Sequence, residues 1–185
     1  MSLKDTGLLI LRAGVGGAMA AHGAQKLFGA FNGPGLQGTA GFMGSLGLRP
    51  PHYWAGAAAA GEFGGGTLLA LGLLGPLGPI GTISAMAMAT QKAHMGKPFF
   101  AMAGGPEVPA LYSTVALALV ATGPGLYSLD RAIGMKLPRW LSATAALAAA
   151  GVVIYGMLQE PDAPAADEVQ ESAEEHQVAT GTEAS

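Results

Sequence analysis

The chain has 185 residues, half of them apolar, and a formal net charge of −3. It contains no cysteine, which excludes disulfide, thiolate and iron–sulfur chemistry. Its nine basic residues are scattered, a pattern that argues against nucleic-acid binding. Residues 1–159 carry a net charge of +5 and residues 160–185 carry −8, so the sequence predicts a basic body followed by an acidic tail.

The first predicted membrane span is the apolar segment from residue 7 to about residue 21. Arg12 lies near its start, where a long basic side chain is expected to reach the lipid headgroups by snorkelling. A cleavable signal peptide is the competing interpretation, since Ala18-Met19-Ala20 resembles a cleavage site. Further apolar segments follow along the chain, which favours a membrane span over a signal peptide.

Residues 27–53 are rich in Gly and Pro, which predicts a long structured loop. Within this loop a short interfacial helix is predicted over residues 37–46, because its apolar side chains would share one face. The loop ends at His52-Tyr53-Trp54. Aromatic side chains with a polar edge favour the membrane interface, so this tripeptide marks the return to the membrane.

The second predicted span, residues 54–75, contains a single ionisable side chain, Glu62. At 1.5 Å per residue, roughly 20 helical residues cross a ~30 Å hydrocarbon core, so this segment is long enough to span it. An acidic group at membrane depth costs about 2.5–3.5 kcal/mol on insertion scales. Glu62 is therefore expected to face the protein interior, with its charge paired or its proton retained.

Three further spans are predicted, over residues 80–91, 108–122 and 141–158. The first of them is short and must borrow residues 92–94 or part of the preceding turn to cross. A short surface helix is predicted to begin near Ser128. The predicted fold is therefore all-α, an integral membrane helical bundle, and residues 159–185 are predicted to be disordered because they offer almost no apolar face.

Consecutive spans must alternate in direction, and this gathers most ionisable side chains at one membrane face. We call that group the polar mouth; it comprises His22, Gln25, Lys26, Arg49, His52, Glu62, Lys92, His94, Lys97 and Glu107. The turn over residues 75–79, at the opposite face, contains no ionisable residue. The sequence thus predicts a titratable mouth at one end and a sealed apolar turn at the other.

Glu62 lies eight residues after Trp54, about 12 Å inward from the interface. Two groups on the first span could satisfy its carboxylate, Lys26 as a counter-ion or His22 as a hydrogen-bond donor. Both require the first helix to continue as far as Leu27 or Phe28. Two roles for Glu62 stay open at this point, a structural pin between the first two spans and a proton-handling or ligand-orienting group.

Metal and haem sites are not favoured by the sequence. His22 and His94 are candidate axial ligands for haem, but no pair of histidines has H-x-x-H or H-E-x-x-H spacing. We therefore predict no metal site. The glycines at 64–66 lie inside a span and are interpreted as a close helix-packing surface, with Gly61 and Gly65 one turn apart on it.

Several segments together resemble the DoxX family of small membrane proteins. They are His22-Gly23-x-Gln25-Lys26-Leu27-Phe28-Gly29, Gly47-Leu48, Glu62-x-x-Gly65-Gly66, His94, Phe99-Phe100, Gly104-Gly105-x-Glu107 and Thr122-Gly123-Pro124-Gly125-x-x-Ser128-Leu129-Asp130. The resemblance covers about residues 7–134. It implies a four-helix membrane domain over residues 1–134, with residues 135–158 an additional C-terminal transmembrane helix and 159–185 an acidic tail outside it.

The resemblance also implies a link to respiratory or detoxifying redox systems. Some relatives are subunits of a thiosulfate:quinone oxidoreductase, and others anchor soluble redox enzymes at the membrane. Because this chain lacks cysteine, a bound quinone or another added cofactor would have to carry any electrons. The predicted partners are thus the lipid bilayer, a quinone and a soluble or membrane redox protein.

The resulting hypothesis is a quinone-interacting subunit whose polar mouth admits the headgroup. Glu62 and His94 are the predicted catalytic pair, which would exchange protons. The predicted substrate-binding residues are His22, Gln25, Lys26 and Glu107. The alternatives are a non-enzymatic scaffold, docking a partner through the mouth and residues 29–53, and a small-solute transporter, which would require oligomerisation.

The predicted location is the plasma membrane, with several crossings. Five basic residues lie on the N-terminal side, Lys4, Arg12, Arg131, Lys136 and Arg139, against four on the mouth side. This count predicts a cytoplasmic N-terminus, because basic residues concentrate on the cytoplasmic side.

Overall fold

The computed structural model describes residues 2–160, and this part of the chain is helical without any β-strand. Its helices are α1 (Leu3–Phe28), α2 (Gly35–Ser45), α3 (Pro51–Leu71), α4 (Leu77–Ala89), α5 (Glu107–Thr122), α6 (Leu129–Ile133) and α7 (Arg139–Leu158). The all-α prediction is confirmed. The predicted disordered tail lies outside the described residues from position 161 onward.

Glycine sets the ends of the two central helices. Gly29 follows α1 with φ of 70° and Gly72 follows α3 with φ of 63°, both in the left-handed region that ends helices at low cost. Helix α1 therefore continues to Phe28, beyond the predicted end near residue 21. Gly23 lies within this helix, packed against Phe63 of α3, and does not stop it. This extension carries Lys26 on the helix, as pairing with Glu62 requires.

Helix α4 does not stop at Ala89 but continues as a π-helical turn over Thr90–His94. The helical segment is therefore longer at both ends than the predicted span of residues 80–91, since it begins at Leu77 and ends at His94. Wide turns of this kind re-aim the side chains that they carry and occur often at functional sites. Here the turn presents Lys92 and His94 at the mouth.

Helices α1 and α3 form the closest helix contact of the fold, and glycine residues allow their backbones to approach. A Cβ atom on Gly23 would lie 2.1 Å from the backbone nitrogen of Phe63, and one on Gly66 would lie 2.4 Å from that of Ala20. The two backbones therefore touch directly, which is how small residues bring helices together.

Gly61 and Gly65 differ in what their Cα atoms face, although the carbonyl oxygen of Gly61 does lie close to Gly81 on α4. A Cβ atom on Gly61 would meet nothing within 4 Å, whereas one on Gly65 would contact Gly78 and Gly81 at ordinary distances of 3.5 Å. The reason is rotational. Gly66 faces α1, Gly65 faces α4, and Gly61 lies beside a cavity.

Arg12 does not reach the lipid headgroups, so that prediction is wrong. Its side chain is only 1% exposed. One guanidinium nitrogen donates to the carbonyl of Ala70 over 3.2 Å, and the other donates to that of Tyr127 over 2.8 Å. The last carbonyls of a helix lack partners within it, and the planar fork of arginine satisfies one of them while joining two segments.

The turn between α3 and α4 is apolar in sequence but is held by a buried carboxylate. Asp130 on α6 accepts hydrogen bonds from the backbone nitrogens of Leu74 (2.9 Å) and Gly75 (2.6 Å). With Arg12 beside it at Ala70, this end of the bundle contains two buried ionisable groups. The predicted sealed apolar end is thus wrong, because distant segments supply its charges.

Among the described residues, α7 is the helix that is long and apolar enough to cross a membrane by itself, and α5 is a shorter apolar helix. Helix α3 is rich in Gly and Ala, which are less apolar than Leu, and α1 has charged residues near both ends. The prediction of five crossing segments therefore stays a prediction at this point.

Candidate functional site

The candidate site is centred on an ion pair between α1 and α3. The Lys26 ammonium donates to Oε1 of Glu62, and the Glu62 side chain is almost fully buried. The prediction that Glu62 faces inward with Lys26 as its counter-ion is confirmed. The second carboxylate oxygen, Oε2, has no hydrogen-bond partner among the described residues and is itself buried.

His22 lies one turn before Lys26 on α1 and does not bond to Glu62. Its Nδ1 pairs instead with the side-chain oxygen of Gln25 over 3.3 Å. His22 is therefore not the hydrogen-bond donor to Glu62 in this structure. His22 nevertheless lines a cavity next to the ion pair.

His94, at the end of the π-helical turn, has a defined tautomer. Its Nδ1 lies 2.6 Å from the carbonyl oxygen of Gly104. A carbonyl only accepts hydrogen bonds, so Nδ1 carries the proton and donates it. The neutral ring then keeps its other nitrogen, Nε2, as an acceptor.

Glu107, at the first turn of α5, lies away from the ion pair. Its Oε2 accepts a hydrogen bond of 2.8 Å from the backbone nitrogen of Ala101, which ties the loop after the π-helical turn to the start of α5. Neither Glu107 nor Gln25 lines the two cavities described below. The structure therefore brings together Lys26, Glu62 and His94, with His22 nearby, and leaves Gln25 and Glu107 outside.

Two cavities meet at the ion pair. The larger, of about 510 Å³, lies between α2, α3, α4 and α7 and has mostly apolar walls that include Phe42, Leu48, Trp54, Met88 and Val152. The smaller, of about 240 Å³, lies between α1, α4 and α5 and is lined by Met19, His22, Met86, Pro109 and Tyr112, among others.

Both cavities share Lys26, Glu62, Ala89 and His94 as lining residues. We call this set the charged partition. An apolar chamber with a few convergent polar groups on one side is the usual form of a site for an amphipathic small molecule. The partition places a buried acid and a histidine with a defined tautomer between that chamber and the smaller cavity.

Helix α7 forms one wall of the larger cavity through Ala149, Val152 and Val153. Its end is clasped to the mouth, because the Gln159 side chain accepts from the backbone nitrogen of Arg49 (2.9 Å) and donates to its carbonyl (3.1 Å). The Lys92 ammonium also donates to the carbonyl of Gln159.

The sequence predicted α7 as an additional transmembrane helix and assigned it no role. The Trp54 and Tyr155 rings stack with centroids 6.0 Å apart, so an interfacial aromatic on α3 has its counterpart on α7. An aromatic and a glutamine at the end of an otherwise aliphatic helix were the available signal that this end contacts the mouth.

A comparison with protein-family models matches residues 7–95 to DoxX. Residues 7–95, just under half of the chain, are a DoxX region. The matched stretch runs from α1 through the π-helical turn, so the DoxX region contains all four residues of the charged partition. It ends before α5, earlier than the predicted limit near residue 134.

This DoxX region indicates a membrane-associated protein. Comparisons with curated proteins and with solved structures give no match. Within residues 2–160 there is no cluster of three or more His, Asp or Glu side chains that could hold a metal ion.

Proposed function

We propose that this protein is a multi-pass component of the plasma membrane that binds a quinone at the charged partition, within a respiratory or detoxifying redox system. The observation that carries the proposal is the buried Lys26–Glu62 pair in the wall shared by an apolar chamber and a second cavity. The chamber would hold the isoprenoid tail, and the partition would meet the headgroup.

The membrane part of the proposal rests on the outer faces of the bundle. Large aliphatic side chains point outward from α1, α5 and α7, among them Ile10, Leu111, Leu117, Leu147 and Ile154. Their exposure would be unfavourable in water over such an area and is ordinary in lipid. In this arrangement α1, α3, α4, α5 and α7 would cross the bilayer in alternating directions.

Topology has to be established by experiment rather than from loop charge. Because Arg12 is buried inside the bundle, the basic residues at the two faces number four and four. The excess of one basic residue on the N-terminal side, which predicted a cytoplasmic N-terminus, therefore disappears. Reporter fusions after Gly78 and after Glu160 would fix the orientation, and alternate crossing requires them to report opposite sides.

The chemistry assigned to the partition is proton transfer and ligand orientation. Quinone reduction takes up two electrons and two protons, and a redox partner would have to supply or accept the electrons. Glu62 and His94 are the groups positioned to pass protons between the headgroup and the smaller cavity, and Lys26 would keep Glu62 ionised between transfers.

The test starts from protein purified in a mild detergent. An optical spectrum and a lipid extract separate bound quinone, haem and an empty site. Membranes containing Glu62→Gln are then compared with membranes containing Glu107→Gln, a matched change in a carboxylate outside both cavities. The proposal expects bound quinone, and loss of quinone-linked redox activity in the Glu62 variant only. The absence of quinone together with full activity of Glu62→Gln would contradict it.

A scaffold for a soluble redox protein is the second candidate. One observation favours it, since Phe99, Phe100 and Met102 are strongly exposed in the loop between the π-helical turn and α5. The segment from Gly29 to Tyr53 also exposes Phe31 and Tyr53, while Met43 and Leu48 within it are buried. A crosslinked partner that survives Glu62→Gln and is lost when both phenylalanines are changed to Ser would favour the scaffold.

A further inference from the structure

We infer that the charged partition selects the reduced, hydroxyl-bearing form of its ligand, a hydroquinone, over the oxidised quinone. This inference rests on the proposed function. It follows from which hydrogen-bonding groups of the partition are already engaged and which are left without a partner.

The unpartnered group of the partition is an acceptor. Oε1 of Glu62 is bound by Lys26, whereas Oε2 is buried without any donor. Glu62 lines both cavities, and its Oε2 is turned into the protein with almost no accessible surface. Buried polar atoms are nearly always hydrogen-bonded in folded proteins, so this unpaired acceptor favours a ligand that brings a donor and toward which the carboxylate can turn. An ionised carboxylate accepts and cannot donate.

His94 adds a second acceptor of the same kind. Its Nδ1 proton is committed to the carbonyl of Gly104, so Nε2 of the neutral ring can only accept. A hydroquinone has two hydroxyl donors and a quinone has none. The acceptors of the partition are therefore complementary to the hydroxyl groups of a hydroquinone. Opposite the carbonyl oxygens of a quinone, the same acceptors would place lone pairs against lone pairs.

The lysines do not reverse this preference. Lys26 and Lys92 already donate to Glu62 and to the carbonyl of Gln159. Their remaining N–H groups serve either redox form, because quinone and hydroquinone oxygens both accept hydrogen bonds. A fatty acid is disfavoured in turn, since its carboxylate would bring a second negative charge beside Glu62.

The experiment measures binding of a short-chain benzohydroquinone, its benzoquinone and its dimethyl ether to the purified full-length protein under anaerobic conditions. We expect the hydroquinone to bind about tenfold or more tightly than either other ligand, the usual scale for a hydrogen bond to a charged group. The dimethyl ether isolates the hydroxyl donors without any mutation, so the inference can be tested even if variants of Glu62 fold poorly.

In Glu62→Gln the side chain both donates and accepts, so the difference between hydroquinone and quinone should shrink to within about threefold, while Glu107→Gln keeps it. Equal binding of the three ligands to the wild type, tighter quinone binding, or an unchanged preference in Glu62→Gln would overturn the inference and leave quinone binding standing. If no form binds to any variant, or if a saturated fatty acid displaces the hydroquinone, the proposed function itself fails.

Discussion

Lys26 on α1 and Glu62 on α3 are bonded to each other across the closest helix contact of the fold, 36 positions apart in sequence. The side chain of Glu62 is 6% exposed and that of Lys26 is 27% exposed. This relationship joins stability to function, because the same pair fixes α1 against α3 and forms the wall between two cavities.

Removing the lysine alone should destabilise the protein. Lys26→Met leaves a buried carboxylate without its counter-ion, and we expect a loss of about 2–3 kcal/mol, below the range for fully buried pairs because Lys26 is partly exposed. Thermal unfolding in detergent measures this loss. The double variant Lys26→Met/Glu62→Leu should recover most of it, and a single variant as stable as the wild type would show that the pair contributes little.

The burial of Arg12 predicts that lysine cannot replace it. Arg12→Lys loses the fork that reaches the carbonyls of both Ala70 and Tyr127, and we expect a destabilisation of about 2–3 kcal/mol, close to that of Arg12→Met. The measurement is again the unfolding temperature. If Arg12 instead faced the headgroups, Arg12→Lys would be neutral, and that outcome would contradict the structure.

The glycine contact predicts opposite results for two alanine substitutions on the same helix. Gly23→Ala places a Cβ atom 2.1 Å from the Phe63 nitrogen, so α1 and α3 must separate, at a cost of about 1–3 kcal/mol or more. Gly17→Ala meets no atom within 4 Å and should be neutral, or stabilising by about 0.5–1 kcal/mol. Equal effects of the two changes would argue against this helix pairing.

The clasp of α7 predicts controlled access to the larger cavity. Gln159→Ala removes both hydrogen bonds to the backbone of Arg49, so α7 should open more often near Val152. Because the chain has no cysteine, Ala58→Cys gives a single thiol in the cavity wall for maleimide labelling. We expect Gln159→Ala to raise the labelling rate severalfold, whereas Ser142→Ala near the far end of α7 should not. Identical rates would mean that the clasp does not limit access.

Much of the helical layout could be predicted from the sequence, because long apolar segments are a local signal. The sequence left Lys26 and His22 as the two candidate partners of Glu62, and the structure pairs Glu62 with Lys26. The placement of Arg12 could not be predicted, since its partner Tyr127 lies 115 positions away and no local pattern links them.

The packing faces of α3 and α7 could not be predicted from the sequence for a related reason. Small residues occur on nearly every side of α3, so its pattern does not distinguish Gly66, against α1, from Gly61, beside the cavity. The same uniformity conceals the part of α7 that lines the cavity, where Ala149 and Val152 look no different in sequence from their outward-facing neighbours. Only the three-dimensional packing separates them.

The most direct test of the central claim is photolabelling of the purified protein with an azido-benzoquinone that carries a short tail. We expect labelled peptides from α3, α4 and α7 at residues lining the larger cavity, such as Trp54, Met88 and Val152. Excess unlabelled hydroquinone should prevent this labelling. Labelling confined to outward residues such as Leu111 and Leu147, or labelling that the hydroquinone does not prevent, would contradict the claim.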